Sequence, residues 1–578
     1  MKKTSIIIAL WNQLAYTIQC LESLEAFTPE EHEVILIDNG STDGTVAWLT
    51  ERLPKHPEYK LIVNDTNLGA GKATNQGIGI ATGEYICFLN NDVVLSKEWL
   101  KGLIDCAESA DDIGMVGPKS NYVSGPQMEM DTATGYDTIF TYTAYAESYR
   151  KAHRGAYIPY WRIIPICGLI KRAVIDKIGI FDEQFFPGNF ADDDLCRRAC
   201  LAGYRNMICG DVFVHHYGSV SMKQIDFAQN LVDNQKKFDA KWDALTGKTI
   251  SAVMIVKDES MNIGPCISHL YPCVDEIIVV DTGSKDRTKD IAAGEGPKVK
   301  VYDFPWVDDF SAARNFANSK ATKDWLLSVD ADENITGLNK LQLKPFHAYR
   351  IVTRNYNNNA MWANNKENEG EYPGQEKGLR WFPSTKIRLW PRDSRIKFEY
   401  PVHEVVENSV RYLGMQEVDC PGVVVHHYGR LCDDYEYGKG DKYYDLLHKQ
   451  FESGKNDLRS LEQLALQAQG MSRWKEAHAF WDEVIKLDPS HVGAVFNKGH
   501  CYASEGNWDE ALIWSRRALK NAPDQKDIIL NVAICESMTG GMDVAVKICE
   551  DLIAKYPLDP RSRALKAAIE IKQKEANV

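Results

Sequence analysis

The apolar positions of the first 45 residues fall in two dense blocks. These are TSIIIALWNQ and EVILIDNGSTDGT, the second running into Asp38. The pattern returns at 250–288 as ISAVMIVKDE and EIIVVDTGSKDRT, this time running into Asp281. Unbroken apolar blocks of strand length predict strands buried on both faces. After each aspartate a Gly-Ser-Thr turn leads into residues that open a helix. Two further landmarks recur in the same order. GEYICFLNNDVVL at 83–95 is echoed by KDWLLSVDADENI at 323–335, and VFVHHYGS at 212–219 by VVVHHYGR at 423–430. Three landmarks in one order predict two copies of one domain. Strands alternating with helices make each copy α/β with a mainly parallel sheet. The boundary falls in the polar helical stretch NQKKFDAKWDALTGKT. A first domain over 1–235, a linker over 236–249 and a second domain over 250–440 follow.

Nearer the C-terminus a different repeat takes over. Trp474, Trp508 and Met542 stand 34 residues apart, as do Pro489, Pro523 and Pro557. Ala477, Ala511 and Ala545 keep the step, and so do Ala465, Gly499 and Ala533. WKEAHAFWDEVIKLDPS and WDEALIWSRRALKNAPD each read as the second helix of a pair, closed by proline. Small residues recur where paired helices cross. The segment 456–578 resembles the tetratricopeptide repeat, with three repeats and a last helix as cap. An irregular helical bundle is the alternative.

Composition narrows the function classes. Hydrophobic residues make up 44% and charged residues 26%, ordinary for a soluble globular chain. A net charge of -14 argues against a nucleic-acid partner but leaves room for a local basic pocket that takes a diphosphate. The apolar run Ile6 to Trp11 follows two lysines but is too short for a signal peptide. No stretch reaches the ~18 apolar residues of a membrane helix. The expected location is the cytoplasm, or the periphery of the inner membrane face. Fourteen cysteines contain no CxxC pair, which speaks against zinc and for small apolar packing. The aromatic-rich stretch 136–161 suits a sugar platform or plain core.

In open α/β sheets, ligands bind at the carboxyl ends of strands. Asp38, Asp281, Asp92, Asp330 and Asp332 all close such strands. An aspartate followed by a Gly-Ser-Thr turn can accept hydrogen bonds from a base or ribose. Carboxylates at a second strand tip suit Mg2+ or Mn2+ shared with phosphates, and a histidine from a later strand can complete the shell.

Together these residues resemble the GT-A glycosyltransferases of the inverting family 2, over about 430 of 578 residues. The resemblance implies that Asp38 and Asp281 contact the nucleotide base. It implies that the DXD motif, Asp330-Ala331-Asp332, binds diphosphate and metal. The first domain has Asn90-Asn91-Asp92 there, similar to rhamnosyltransferase-like members, with Asn90 on the nucleotide sugar and Asp92 on the metal. NLGAGKATNQGI at 67–78 is similar to the donor-side segment of those members, so Asn67, Gly69, Lys72 and Asn75 would line the nucleotide-sugar pocket. FSAARNFA at 310–317 stands in the equivalent place, with Arg314 and Asn315 as its polar residues. GIFDEQFFPGNFADDDLCRRACLAGY at 179–204 is similar to the block that carries the family's base. That puts the base at Asp192 with Asp193 as its backup, and Ala191 where a glutamate is usual. Three acidic residues there also suit a helix N-terminus. RIKFEYPVHEVVE at 395–407 is similar to a Val-His-Glu block, with Glu404 as base and His403 beside it. His216 and His427 match a metal-ligand position.

The function implied is a metal-dependent inverting glycosyltransferase with two catalytic domains, using UDP- or dTDP-sugars and Mn2+ or Mg2+. The acceptor is expected to be a protein, such as flagellin or another surface polypeptide, or its growing glycan, held by the repeats. Rival readings are a polysaccharide or lipid-linked acceptor, a chain with one active domain, and a nonenzymatic scaffold. A nucleotidyltransferase would show a Gly-rich signature after its first strand, and ALWNQLAY and IVKDESMN lack it. Assembly as a monomer or homo-oligomer is left open.

Overall fold

The computed structural model describes residues 3–129, 139–218, 227–245, 247–358, 365–431, 439–454, 456–557 and 560–576. The first half holds β1 (Thr4–Leu10), β2 (His32–Asp38), β3 (Tyr59–Val63), β4 (Tyr85–Leu89), β5 (Val93–Val94), β6 (Ile113–Ser120), β7 (Tyr157–Pro159), β8 (Cys167–Lys171) and β9 (Arg205–His216). They form one sheet in the order β3-β2-β1-β4-β8-β6-β9-β5, with β7 beside β9. The second half holds β10 (Ile250–Val256), β11 (Glu276–Asp281), β12 (Val299–Asp303), β13 (Trp325–Ser328), β14 (Glu333–Thr336), β15 (His347–Asn357), β16 (Lys366–Glu367), β17 (Arg380–Pro391) and β18 (Gln416–His427). Its order, β12-β11-β10-β13-β17-β15-β18-β14 with β16 beside β17, repeats the first along the main path. Both halves are therefore α/β domains of one architecture. The first four strands of each sheet are parallel, and parallel pairing returns further along between β6 and β9 and between β15 and β18. β8 runs antiparallel to β4, and β17 to β13, so the sheets are mixed rather than mainly parallel. An apolar run reports burial on both faces and carries no strand direction.

Alternation along β1 sends Ile6, Ile8 and Leu10 to one apolar layer and Ile7, with Ile35 and Ile37 of β2, to the other. β10 does the same, with Ala252, Met254 and Val256 on one face and Val253 on the other. The foot of each sheet carries a matching polar brace. Glu33 accepts from Ser5 Oγ, Thr82 Oγ1 and the Thr82 N–H, each at 2.7 Å, and pairs with Lys60. Glu276 takes the same four contacts from Ser251, Thr322 and Lys300.

Four helices matter for the site: α1 (Ala70–Ile80), α2 (Ala191–Leu201), α3 (Phe227–Leu245) and α4 (Phe310–Lys320). The stretch expected as a linker lies largely in α3, whose Phe238 and Trp242 are buried against the first domain. The halves meet through Trp161, which stacks on Phe346 at 6.0 Å. The Trp161 backbone N–H donates to the Gly414 carbonyl at 3.0 Å. The Arg197 guanidinium is packed against Trp161 and Phe346. Of the stretch 136–161, positions 136–138 lie outside the described residues, while Tyr142 and Tyr149 pack in core against Phe213.

Eight helices follow: α5 (Lys439–Glu452), α6 (Leu458–Gly470), α7 (Trp474–Leu487), α8 (Val492–Ser504), α9 (Trp508–Asn521), α10 (Lys526–Met538), α11 (Met542–Lys555) and α12 (Pro560–Ala576). From α6 they form three pairs and a cap, in the predicted register. Ala465, Ala477, Ala511, Ala533 and Ala545 are fully buried where helices cross. The helix α5 precedes the repeats, and its Leu446 and Leu447 share one apolar cluster with Leu461, Leu464 and Val402 of the second domain. The described cysteines are free thiols, buried except for half-buried Cys273. Among the described residues no helix is long and apolar enough to cross a membrane.

Candidate active site

Asp38 closes β2 and is fully buried. Its Oδ2 accepts the N–H groups of Gly40 at 3.2 Å and Ser41 at 2.9 Å. Gly40 has φ +80°, and a Cβ there would stand 2.9 Å from the Thr66 backbone, so the turn needs glycine. Asp281 repeats the turn, its Oδ1 accepting from Gly283 and Ser284 at 2.9 Å each. In both, the second carboxylate oxygen is buried and accepts no hydrogen bond from the described residues. A buried, unpaired carboxylate oxygen is an unmet demand for a donor. A base or ribose would meet it.

The second strand tip brings four of the five expected metal residues together in two pairs, while Asp330 is held by Arg314. Asp92 Oδ1 lies 3.2 Å from His216 Nε2. Asp332 Oδ2 lies 3.2 Å from His427 Nε2. The far nitrogen of each ring is held, His216 Nδ1 by the Tyr122 carbonyl at 2.6 Å and His427 Nδ1 by Asn355 Oδ1 at 2.9 Å. Burial pulls both imidazoles down, but the facing carboxylate outweighs it and leaves each above its usual value. The space between them thus favours a positive charge. Carboxylate plus imidazole, with the ring fixed from behind, is a donor set that fits Mn2+ or Mg2+ shared with phosphates. Gly429 keeps that space open, since a Cβ there would stand 2.2 Å from Asp332 Oδ2 and 2.9 Å from His427 Nε2. The neighbours His215 and His426 are drawn down by burial, His426 to about 4, and pack as neutral rings.

In the second domain a cavity of about 1310 Å³ joins these parts. Arg314, from α4, crosses it. Its Nε donates to Glu404 at 2.6 Å and its Nη2 to Asp330 at 2.8 Å. The Arg314 charge, against burial, holds Asp330 well below the usual carboxylate range. Arg388 forms a buried two-pronged pair with Glu333 and reaches Asp330 at 4.0 Å. Lys386 lines the cavity too, its ammonium held down by Arg388 and then by burial. Sequence reading had passed over Lys386 and Arg388. Their alternation with Ile387 and Leu389 on β17 was the available signal, because period two puts both cations on one face. His403, beside Glu404, also lines the cavity, and desolvation there draws its imidazole below the usual value.

The first domain arranges its counterparts differently. Asn67, Gly69 and Lys72 line a smaller cavity of about 340 Å³ with Asp182, Glu183 and residues 185–187. Asn75 does not face it. Its amide clasps the Phe181 backbone, donating to the carbonyl at 2.9 Å and accepting the N–H at 3.0 Å. Asn315 clasps Phe398 in the same way. Both are spent on holding the following loop, not aimed at a ligand. Asn90 is exposed, while Asn91 donates to Thr17. At the start of α2, Asp194 is fully buried against Arg198 and Lys241. Asp193 is held by Arg162 at 2.5 Å. Burial, then the charge of Asp192, raise Asp193 to about 7. Burial raises Asp192 as well.

Matching registers align the halves residue by residue. Asn75 and Asn315 are the sixth residues of α1 and α4, and β4 pairs with β8 as β13 pairs with β17. Arg314, Asp330, Glu333, Lys386 and Arg388 then fall on Thr74, Asn90, Val93, Ile166 and Gly168. The five-charge network of the second domain has no charged counterpart in the first.

Over residues 5–179 and 251–386, more than half of the chain, the sequence matches the model named Glycosyl transferase family 2. The chain belongs to glycosyl transferase family 2. In this family-2 chain Asp192, His216, Glu404 and His427 lie outside the matched segments. A TPR repeat-containing protein of Synechococcus elongatus is 27% identical over 307 residues, 51% of this chain and 64% of that protein. The chain thus spans just under two thirds of that relative. Glycosyltransferase GlyG of Streptococcus pneumoniae is 24% identical over 226 residues, 39% of this chain and 73% of its own. Among solved structures, a mannosyltransferase from Pyrobaculum calidifontis in complex with GDP-Man and Mn2+ aligns with TM-score 0.31 and 20% identity, over 40% of this chain and 63% of that one. S. aureus TarS 1-349 in complex with UDP-GlcNAc aligns with TM-score 0.31 and 19% identity, over 41% and 66%.

Proposed function

We propose that the chain is a metal-dependent inverting glycosyltransferase with two catalytic domains. Each domain would take a UDP- or dTDP-sugar, and the acceptor would be a protein or its growing glycan, met in the cytoplasm or at the inner membrane face. The observation that carries this reading is the repeated pair of strand tips. In each half a turn aspartate keeps one buried oxygen unpaired among the described residues, and a second aspartate faces a histidine at 3.2 Å. Asp92 with His216, and Asp332 with His427, would hold Mn2+ or Mg2+, which when bound supplies charge against the departing diphosphate.

The chain's own residues supply the rest. Glu404 would take the proton of the attacking hydroxyl, and Arg314 fixes where its carboxylate points. Arg314, Arg388 and Lys386 gather positive charge beside Asp330, where a diphosphate leaving group would gain negative charge. In the first domain Asp192 is the base and Asp193, held by Arg162, stands behind it. A second reading follows from the neutral counterparts of the five charges. In it only the second domain turns over and the first retains donor binding.

The test is donor hydrolysis and sugar transfer by the full chain carrying Asp92→Ala or Asp332→Ala. Two active domains predict partial loss in each variant. One active domain predicts that Asp332→Ala alone abolishes both reactions. If neither variant changes transfer, the metal assignment is wrong.

A further inference from the structure

The large cavity of the second domain is not closed by that domain. Tyr443 of α5, and Leu458, Arg459, Glu462 and Gln463 of α6, form part of its wall. The fit is built in. Arg459 donates to the His403 carbonyl at 3.4 Å, and the Tyr400 hydroxyl bonds Asp457, the N-cap of α6. Tyr443 lies close enough to the reacting groups that burial, then the charges of Glu404 and Asp330, raise its phenol. The helical wall therefore adjoins the Val-His-Glu block rather than the nucleotide turn. In a single displacement the attacking hydroxyl enters from the side of the base. The wall supplied by α5 and α6 is on that side.

Its chemistry points to a class of acceptor. Trp306, Phe310 and Tyr443 line the cavity half-buried, with ring centroids 4.7 and 5.8 Å apart along the row. Glu462 and Gln463 stand beside them half-buried, and Arg459, bonded to the His403 carbonyl through one nitrogen, is exposed. Aromatic faces flanked by planar hydrogen-bonding groups match a sugar ring, which offers C–H faces and a rim of hydroxyls. We propose that α5 and α6 complete the acceptor subsite of the second domain, and that the subsite binds a carbohydrate ring. This rests on the glycosyltransferase reading and adds that the glycan end of the acceptor, not a polypeptide side chain, meets Glu404. The first helices of the array are then part of the sugar-transfer site.

The test uses the full chain with p-nitrophenyl glycosides as probes, read by saturation-transfer NMR, with a serine- and threonine-containing peptide in parallel. The expected result is saturable binding of a glycoside, weakened about tenfold or more by Arg459→Ala and by Glu462→Ala. Both side chains sit on the helix surface, and a melting curve for each variant reports its fold. Binding of the peptide but no glycoside, or glycoside binding unchanged in both variants, overturns the proposal. The melting shift caused by UDP with Mn2+ reads the donor side separately. Its absence alongside intact glycoside binding would sink the donor reading and leave this one standing.

Discussion

At the scale of single residues, the second domain is governed by Arg314. It stands between two carboxylates, Asp330 and Glu404, in a site where burial makes an unpaired charge expensive. Arg314→Met should destabilise the chain by about 3 kcal/mol, because Glu404 loses its cation and Asp330 keeps only the more distant Arg388 and Lys386. Urea unfolding measures this, and an unchanged midpoint would remove Arg314 from its bridging role. The first domain hangs on Asp193 and its neighbour Asp192 in a different way. A base must be ionised, and Asp193 is raised to about 7. With the second domain silenced by Asp332→Ala, any remaining transfer should climb as pH rises through neutrality. A flat profile between about pH 6 and 8 would show that the acidic pair takes no proton in the reaction.

At the scale of elements, the two sheets are braced by Glu33 and Glu276. Burial opposes their ionisation, but the lysine, serine and threonine partners win and hold both at about 2. The ordinary carboxyl value is 4.5. Between those values the unfolded chain binds more protons than the folded one. The brace therefore stabilises fully above pH 4.5 and is lost as pH falls towards 2. Glu276→Gln should flatten the fall in urea midpoint between about pH 5 and 3, and a slope equal to the parent's would rule the brace out. This element was not legible beforehand. Ser5, Glu33, Lys60 and Thr82 are far apart in the chain, and only the parallel registers of β1 with β2 and β4, and of β2 with β3, bring them to one end of the sheet.

At the scale of the whole molecule, the repeats are fused to the second domain through α5 and α6, with Val402 in their core. A chain ending at 506 keeps that core, Ala494 and Cys501 included, and should melt close to the parent. A chain ending at 430 uncovers it, and should melt lower by several degrees. Equal melting of both would mean that the array is merely tethered. The two halves are joined through Trp161, Phe346 and Gly414. Arg162, the residue after Trp161, holds Asp193, so the acidic pair of the first domain is placed partly by its contact with the second.

What the sequence determined by itself was whatever is local or periodic. Apolar runs ending on Asp38 and Asp281 specified buried strands with acidic tips, since burial and turn chemistry act over a few neighbouring residues. A 34-residue step specified the helix pairs, because each pair buries its small residues against the next. Tertiary structure decided what depends on distant segments meeting. It turned β8 and β17 antiparallel, spent Asn75 and Asn315 on loop backbone, and gathered Arg314, Lys386 and Arg388 around Asp330. It also closed the second cavity with α5 and α6. Hydrogen bonds and ion pairs between remote residues leave no period in a chain, so the partners of Asp330 and Glu404 were settled only when the sheet and the helices packed.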